Sequence, residues 1–239
     1  MRKLSTYLFF FVLLGGVVFL YGFSYSKNSD KKITKVLIEF VEGDNNFLTQ
    51  QMVDKLLIQN DRKVQNQRKS VLDLQGLERR LLLNPYIEKA TVFYTIDGVL
   101  KSIVKQRTPI ARVLTGGASY YVDKQGVEVP LSDDYSARVL LVTGAVNSDG
   151  LKEITTFINV VLADDFLRKE IIGVHKTQQN EFVLSVRSGH YKIELGSLKK
   201  LKVKFQKLKA FYKKAFVDKT IAEYKKINLK YHNQVVCSK

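Results

Sequence analysis

The 239-residue sequence contains one cysteine, three histidines, three prolines and no tryptophan. A single cysteine excludes an internal disulfide framework and a cysteine-based zinc site within one chain. The three histidines, at positions 175, 190 and 232, lie too far apart to form a local metal motif. Few prolines argue against long flexible linkers, and 45% hydrophobic residues are enough for a core, so we expect a folded chain.

Sequence motifs of catalysis are also missing. The sequence has no G-x-S-x-G elbow, no phosphate-binding loop and no H-E-x-x-H motif. The acidic pairs Asp133-Asp134 and Asp164-Asp165 have the ligand type that divalent cations prefer, but adjacent carboxylates more often cap helices or lie on solvated turns. Asp123, three residues before Gly126, is typical of a tight turn between strands. We therefore predict a protein that is not an enzyme and that has no metal and no cofactor.

Positive charge is concentrated at the C-terminal end. The formal net charge is +16, and residues 199–239 contain thirteen lysines against only Asp218 and Glu223. Apolar residues spaced by three or four predict an amphipathic helix from Leu198 to Phe216. A basic stripe with interleaved aromatic residues is one pattern of nucleic-acid binding, but lysine without arginine lacks the guanidinium fork that such contacts favour. We interpret the lysines as a solvated or membrane-facing helix surface and expect no nucleic-acid partner.

Residues 7–25 form the longest apolar segment, uncharged and long enough to cross a hydrocarbon core about 30 Å thick as a helix. A cleavable signal peptide would have a shorter apolar region and a small-x-small site, which Gly22-Phe23-Ser24 matches poorly. We predict a short cytoplasmic tail at residues 1–6 and an uncleaved transmembrane helix at 7–25 that anchors the chain in the lipid bilayer. Basic residues flank the predicted transmembrane helix almost evenly, so they do not decide its orientation. The orientation is inferred from the long C-terminal part of the chain, because such a part behind a single N-terminal span is usually translocated out of the cytoplasm.

The segment after the anchor predicts a β-α-α-β-β order. A strand is expected at Ile33–Phe40, followed by a turn at Glu42–Asn46 and a helix at Gln50–Gln59 capped by Thr49. A second helix is expected at Asp73–Leu82, and two strands at Ala90–Ile96 and Val99–Lys105 flank a two-residue turn, Asp97-Gly98. Between them, Pro85 is expected to end the helix, with Tyr86 and Ile87 packing over the core.

Four passages carry a resemblance to known families. The β-α-α-β-β order with the phrase Leu83–Ala90 resembles a POTRA domain. An R-x-P-I-A segment begins at Arg107, a Y-x-V-D-x-x-G hairpin begins at Tyr120, and the tail Ile227–Val236 reads INLKYHNQVV. Behind one N-terminal span, this series is similar to the bacterial cell-division family FtsQ/DivIB. The sequence departs from the pattern at Gln106, Asn228 and Lys230, where an acidic residue, Asp and Arg are common.

The resemblance implies an α+β protein with a POTRA domain at 33–105 and a C-terminal β domain at 106–239. Short apolar runs predict strands in the latter near 137–142, 171–177, 182–186 and 191–195, with a helix at 151–163. The expected product is a curved mixed sheet with flanking helices, whose final strand lies at or near an edge. Edge strands expose unpaired backbone groups, so a partner can add a strand there.

The resemblance also implies a function and partners. It predicts a single-pass protein of the inner membrane at the septum, with its C-terminal domain in the periplasm, that links early and late division proteins and supports septal cell-wall synthesis. Its expected partners are coiled-coil proteins like FtsB and FtsL; oligomeric state stays open. The predicted contact residues are Tyr224, Lys226, Ile227, Leu229 and Tyr231. Since alternation places Ile227, Leu229 and Tyr231 on one face, some of them must serve the core instead.

A second interpretation is a POTRA-containing component of an outer-membrane secretion or assembly system. Such a protein would carry a C-terminal barrel of many alternating strands, each about ten residues long. The C-terminal part, at about 130 residues with two predicted helices, is too short to supply one.

Overall fold

The structure, a computed structural model, describes residues 2–41, 47–58, 64–146 and 148–239. The chain divides into two compact units, residues 1–44 with 48–106 and residues 45–47 with 107–239. The predicted turn at Glu42–Asn46 and the predicted helix end at Gln59 lie outside the described residues.

Helix α1, Arg2–Ser29, opens the chain. Its stretch Tyr7–Ser29 is long and apolar enough to cross a membrane, and no other helix in the described parts of the chain meets that test. None of this stretch is buried inside the protein, and side chains such as Phe11 (77% exposed) and Phe19 (71% exposed) find no apolar partner in the chain that covers them. Such an apolar surface is stable in lipid, so α1 is suited to anchor the protein in a bilayer.

The rest of the first unit has the order β-α-α-β-β. Its elements are β1 Lys35–Phe40, α2 Gln50–Leu56, a 3₁₀ turn Lys69–Val71, α3 Leu74–Leu82, β2 Ile87–Tyr94 and β3 Val99–Gln106. In the three-stranded sheet β3 is central, parallel to β1 and antiparallel to β2. Both helices start at side-chain caps: the Thr49 hydroxyl accepts the Met52 amide at 3.3 Å, and the Asp73 carboxylate accepts the Gly76 amide at 2.9 Å.

The three residues that follow α3 and Asn84 differ in burial. Ile87, the first residue of β2, is fully buried, Tyr86 is half-buried and Pro85 is exposed. Helix α3 ends at Leu82, the residue predicted from the sequence, three residues before Pro85.

The turn between β2 and β3 is also longer than predicted. It spans residues 95–98, not two residues, and the Gly98 amide donates to the Thr95 carbonyl at 3.2 Å. Gly98 has φ +79°, a left-handed conformation that glycine adopts without a Cβ clash. Asp97-Gly98 therefore marks the turn but not its length.

The second unit is a nine-stranded mixed sheet with helices. Its strands are β4 Pro109–Thr115, β5 Ala118–Asp123, β6 Glu128–Val129, β7 Leu140–Gly144, β8 Ile171–Lys176, β9 Phe182–Val186, β10 Lys192–Gly196, β11 Lys226–Asn228 and β12 Val236–Ser238. Their order in the sheet is β12-β11-β10-β9-β8-β7-β4-β5-β6, with β12 and β6 at the two edges. The pairs β4–β7, β7–β8 and β10–β11 are parallel and the others antiparallel, so the predicted α+β class with a large mixed sheet is confirmed.

In the described residues, three α-helices accompany this sheet, α4 Ser148–Leu162, α5 Asp165–Glu170 and α6 Leu201–Val217, together with a 3₁₀ turn, Ile221–Glu223. The Phe157 ring of α4 lies 5.9 Å from Phe182 and 6.2 Å from Phe205 between ring centroids, which joins both longer helices to the sheet through one apolar core. Helix α5 was not predicted. The Asp164 carboxylate caps it by accepting the Phe166 and Leu167 amides, both at 3.1 Å, so one acidic pair serves as a helix cap.

Helix α6 has the predicted amphipathic pattern. It buries four apolar or aromatic residues, and most of its lysines are exposed. Lys207 is half-buried, and Lys204 is buried: its ammonium group donates to the carbonyls of Leu195 at 2.8 Å and Ser197 at 2.6 Å. Burial lowers the pKa of Lys204. This lysine therefore ties α6 to the end of β10.

Candidate partner-binding site at the end of the large sheet

The predicted partner contacts lie on and around β11, next to the sheet edge. Strand β11 pairs in parallel with β10, Ile193 opposite Ile227, and antiparallel with β12, Ile227 opposite Cys237. The tail thus forms two short strands where the sequence suggested one. Strand β12 is the edge, and β11 lies one position inside it.

Glu194 of β10 holds β11 in register through its side chain. Its carboxylate accepts the Asn228 amide group at 2.8 Å and pairs with the Lys226 ammonium group at 2.8 Å. Lys230 pairs with Glu181, and this carboxylate raises the pKa of Lys230. Two of the three positions where the sequence departs from the family pattern, Asn228 and Lys230, therefore still make polar contacts to carboxylates.

The five predicted contact residues separate into core and surface. Ile227 and Leu229 are fully buried in the core of the unit. A side chain without exposed surface cannot touch a partner unless the strand opens, so these two residues serve folding. Tyr231 is 51% exposed, Lys226 is exposed, and Tyr224 is half-buried. Partner contact remains a prediction for these last three.

Helix α6 supports the exposed residues from behind. The Tyr224 ring lies 5.5 Å from the Phe211 ring between centroids, so its inner face packs on the helix. The Lys207 ammonium group donates to the carbonyls of Tyr231 and Leu229, which fixes the backbone after β11. The surface next to the edge is therefore built on ordered backbone, with Tyr231 pointing away from the core.

Strand β12 was not predicted as a separate element. Val236 is 40% exposed and Ser238 is exposed, whereas Cys237 packs partly on the core, where burial raises the pKa of its thiol. The alternation is the usual one of a strand with one buried face. The signal for it is the run Val235-Val236-Cys237 after the polar loop 232–234.

The family comparison covers all strands and helices of this unit. The sequence model of the family described as FtsQ/DivIB, C-terminal related, matches residues 108–238, from the residue before β4 to the end of β12. The chain belongs to this family. No curated protein matches it. Membership in the FtsQ/DivIB-related family gives the chain a role in bacterial cell division. Proteins of this family are non-enzymatic and interact with other division proteins. Helix α1 agrees with a single-pass membrane protein.

Two motifs that carried the FtsQ/DivIB resemblance meet in the structure. The Arg107 guanidinium group pairs with the Asp123 carboxylate at 2.7 Å, and both side chains are largely buried. The other Asp123 oxygen accepts the backbone amides of Gln125 and Val127 at 2.9 Å. Asp123 thus shapes the turn that ends at Gly126, which agrees with the structural role predicted from the sequence.

A buried polar network fixes α6 in the FtsQ/DivIB-family unit. The Tyr212 hydroxyl of α6 donates to the Glu170 carboxylate at 3.0 Å and accepts from the Tyr191 hydroxyl at 2.7 Å. Ser188 also donates to Glu170, through its hydroxyl. Burial raises the pKa of Tyr212 and of Tyr191, which keeps both hydroxyls protonated as donors. Residue patterns gave no signal for this network, because its four members lie in three separate segments of the chain.

Proposed function

We propose that this protein is a membrane-anchored division protein that binds its partners by accepting a strand at the edge of β12. It links early and late division proteins through its extracytoplasmic part and thereby supports septal cell-wall synthesis. The partners are coiled-coil proteins like FtsB and FtsL. The observation that carries the proposal is the open, partly apolar edge at β12 within a unit that belongs to the FtsQ/DivIB-related family.

The chemistry of this edge suits a strand from an acidic partner. Strand addition supplies backbone hydrogen bonds, while exposed side chains next to the edge select the partner. Val236 and Tyr231 offer apolar contacts at 40% and 51% exposure, and aromatic residues commonly dominate interface energy. Lysines at 225, 226 and 239 flank the strand, and their positive field speeds the approach of an acidic segment.

The first unit completes the proposal. Its β-α-α-β-β order and the parallel pairing of β1 with β3 support a POTRA domain, whose sheet serves as a second docking platform near the membrane. The N-terminus lies in the cytoplasm, α1 spans the inner membrane, and both units lie in the periplasm at the septum. The length of the translocated part, more than 200 residues behind one span, supports this orientation.

The test compares two valines of nearly equal exposure beside opposite edges of the sheet. Val236 of β12 is 40% exposed, and Val127, next to β6, is 39% exposed. A carboxylate at position 236 places a desolvated charge in the proposed interface, so Val236→Asp should weaken binding to the FtsB-like and FtsL-like proteins at least tenfold. Val127→Asp is the matched control and should change affinity less than twofold. Affinity is measured with full-length protein in nanodiscs.

Cells provide the second readout. A strain in which Val236→Asp replaces the parent protein should grow as filaments, whereas the Val127→Asp strain should divide normally. Thermal melting of both variants within about 2 °C of the parent shows that each one folds. Parental affinity in a folded Val236→Asp protein would refute docking at β12, and a loss confined to Val127→Asp would move the interface to the β6 edge.

A further inference from the structure

A cationic pocket lies in the second unit, away from the β12 edge. Its volume is about 440 Å³, within the usual range of ligand pockets. Three parallel strands begin beside each other there: β4 at Pro109, β7 at Leu140 and β8 at Ile171. The antiparallel neighbours β5 and β9 end at the same side of the sheet, which brings Lys124 and Arg187 to the pocket.

Four cationic side chains line this pocket, and no acidic residue does so among the residues that the structure describes. They are Lys124, Arg138, Arg168 and Arg187, which come from four separate loops and helices. The second unit has five arginines, and three of them line the pocket, whereas residues 199–239 contain thirteen lysines and no arginine. Guanidinium groups bind carboxylates through two parallel hydrogen bonds, so the pocket has the cation type that favours directed binding.

The carboxylates at this end of the sheet do not neutralise the pocket. Asp123 is paired with Arg107, and Glu170 accepts the hydroxyls of Tyr212 and Ser188. Arg168 pairs with Asp165 at 2.9 Å, but both side chains are more than half exposed, and such a pair is weak enough to be exchanged for a ligand. Arg138, Arg187 and Lys124 form no ion pair with any residue in the described ranges.

The remaining walls of the pocket are mostly apolar. Pro109, Ile110, Leu140 and Ile171 form buried parts of the wall, and Ile172 is 42% exposed at its rim. A small inorganic anion would satisfy the arginines but leave this apolar surface uncovered. A lipid headgroup in a flat bilayer would have to leave its plane to enter a concave site. An aliphatic side chain flanked by carboxylates fits both parts of the surface.

We propose that this pocket binds an acidic peptide segment of a partner protein, in which carboxylates flank an aliphatic side chain. The carboxylates pair with the arginines, and the aliphatic group covers the apolar wall. In sheet order β4, β7 and β8 are separated from β12 by β11, β10 and β9, so the site is distinct from the proposed β12 edge. The protein then has two protein-docking surfaces on one unit.

The test uses a fluorescein-labelled peptide, ELELE, and the full-length chain in an uncharged detergent at about physiological salt. The proposal predicts saturable binding by anisotropy, with ESESE and KLKLK at least tenfold weaker because each lacks one of the two features. The double variant Arg138→Gln/Arg187→Gln should bind ELELE at least tenfold more weakly. Lys213→Gln/Lys214→Gln removes the same charge from exposed positions of α6 and should bind within twofold of the parent.

Each contrary result overturns the proposal. Equal losses in the arginine and lysine variants would show general attraction to a basic protein, and equal binding of ESESE would show that the apolar wall is unused. Displacement of ELELE by millimolar phosphate, or by phosphatidylglycerol vesicles, would assign the site to a phosphate group instead of a peptide. Absence of parental binding would refute it outright. Val236→Asp should retain peptide binding, so the pocket and the β12 proposal can fail separately.

Discussion

Removing one buried oxygen from α6 tests whether the polar network holds this helix in place. Tyr212→Phe keeps the ring, which is 1% exposed, and deletes the hydroxyl that donates to Glu170 and accepts from Tyr191. Glu170 loses one of its donors, and Tyr191 loses its contact to Tyr212 but keeps the Ser188 hydroxyl at 2.7 Å. A net hydrogen bond to a charged group contributes about 1.5–3 kcal/mol. We expect the free energy of unfolding of the second unit to fall by about 1.5–3 kcal/mol.

Tyr224→Phe is the matched control, because Tyr224 is half-buried and packs through its ring on Phe211. Its hydroxyl is not part of the network, so the change should be below about 0.5 kcal/mol. The chain has no tryptophan and divides into two compact units, so hydrogen exchange measured by mass spectrometry, which reports on each segment by itself, is the suitable assay. Peptides covering α6 and β8 should exchange faster in Tyr212→Phe, whereas peptides from residues 87–106 should not change.

A result in which both tyrosine variants exchange alike would contradict the network argument. It would mean that α6 is held by apolar packing alone, through Phe205 and Leu208, both at most 5% exposed. Serine at position 188 offers a further check, since Ser188→Ala removes another donor to Glu170 without changing α6 itself. The double variant with Tyr212→Phe should be less destabilising than the sum of the single changes if the residues act as one network.

Three further predictions concern pH, the first unit and topology. Burial raises the pKa of Tyr212 and Tyr191, so the folded chain keeps both phenols neutral, whereas the unfolded chain ionises them near pH 10. The free energy of unfolding should therefore fall between pH 9 and pH 11. Urea unfolding followed by circular dichroism should show this fall, and a smaller one in Tyr212→Phe. Ile87→Ala should destabilise the first unit by about 2–5 kcal/mol, whereas Pro85→Ala should have little effect. Equal melting temperatures of the two variants would contradict the assignment of Ile87 to the core. A phosphatase that works only outside the cytoplasm should be active when it is fused after Lys239; an inactive fusion, or a mature N-terminus near Ser24, would contradict the predicted anchor and orientation.

Local features of the fold could be predicted from the sequence. The cap Thr49 and the glycine turn at Gly98 depend on residues within a few positions, so their patterns indicate structure directly. Strand β9, Phe182–Val186, matches its predicted bounds because turn residues flank it on both sides. Helix α5 was missed because six residues are too few to show a helical period.

Long-range pairing could not be predicted in the same way. The parallel pairs β4–β7 and β7–β8 bring Ala111 opposite Leu140 and Leu141 opposite Gly173, and no local pattern encodes those partners. The same limit applies to the candidate site. Alternation indicated that some of Ile227, Leu229 and Tyr231 face the core, but it did not indicate which ones. The packing of α6 and β10 shows that Ile227 and Leu229 are the buried residues.

The short edge of the large sheet reconciles partner binding with solubility. A long apolar edge strand would pair with any other exposed strand, including a second copy of this chain. Strand β12 has only three residues, and lysines at 225, 226 and 239 lie beside it. Two copies meeting edge to edge would bring these lysines together and repel each other, whereas an acidic strand would be attracted. The lysines of the tail thus serve the proposed function through selectivity, since they favour a partner of opposite charge over self-association.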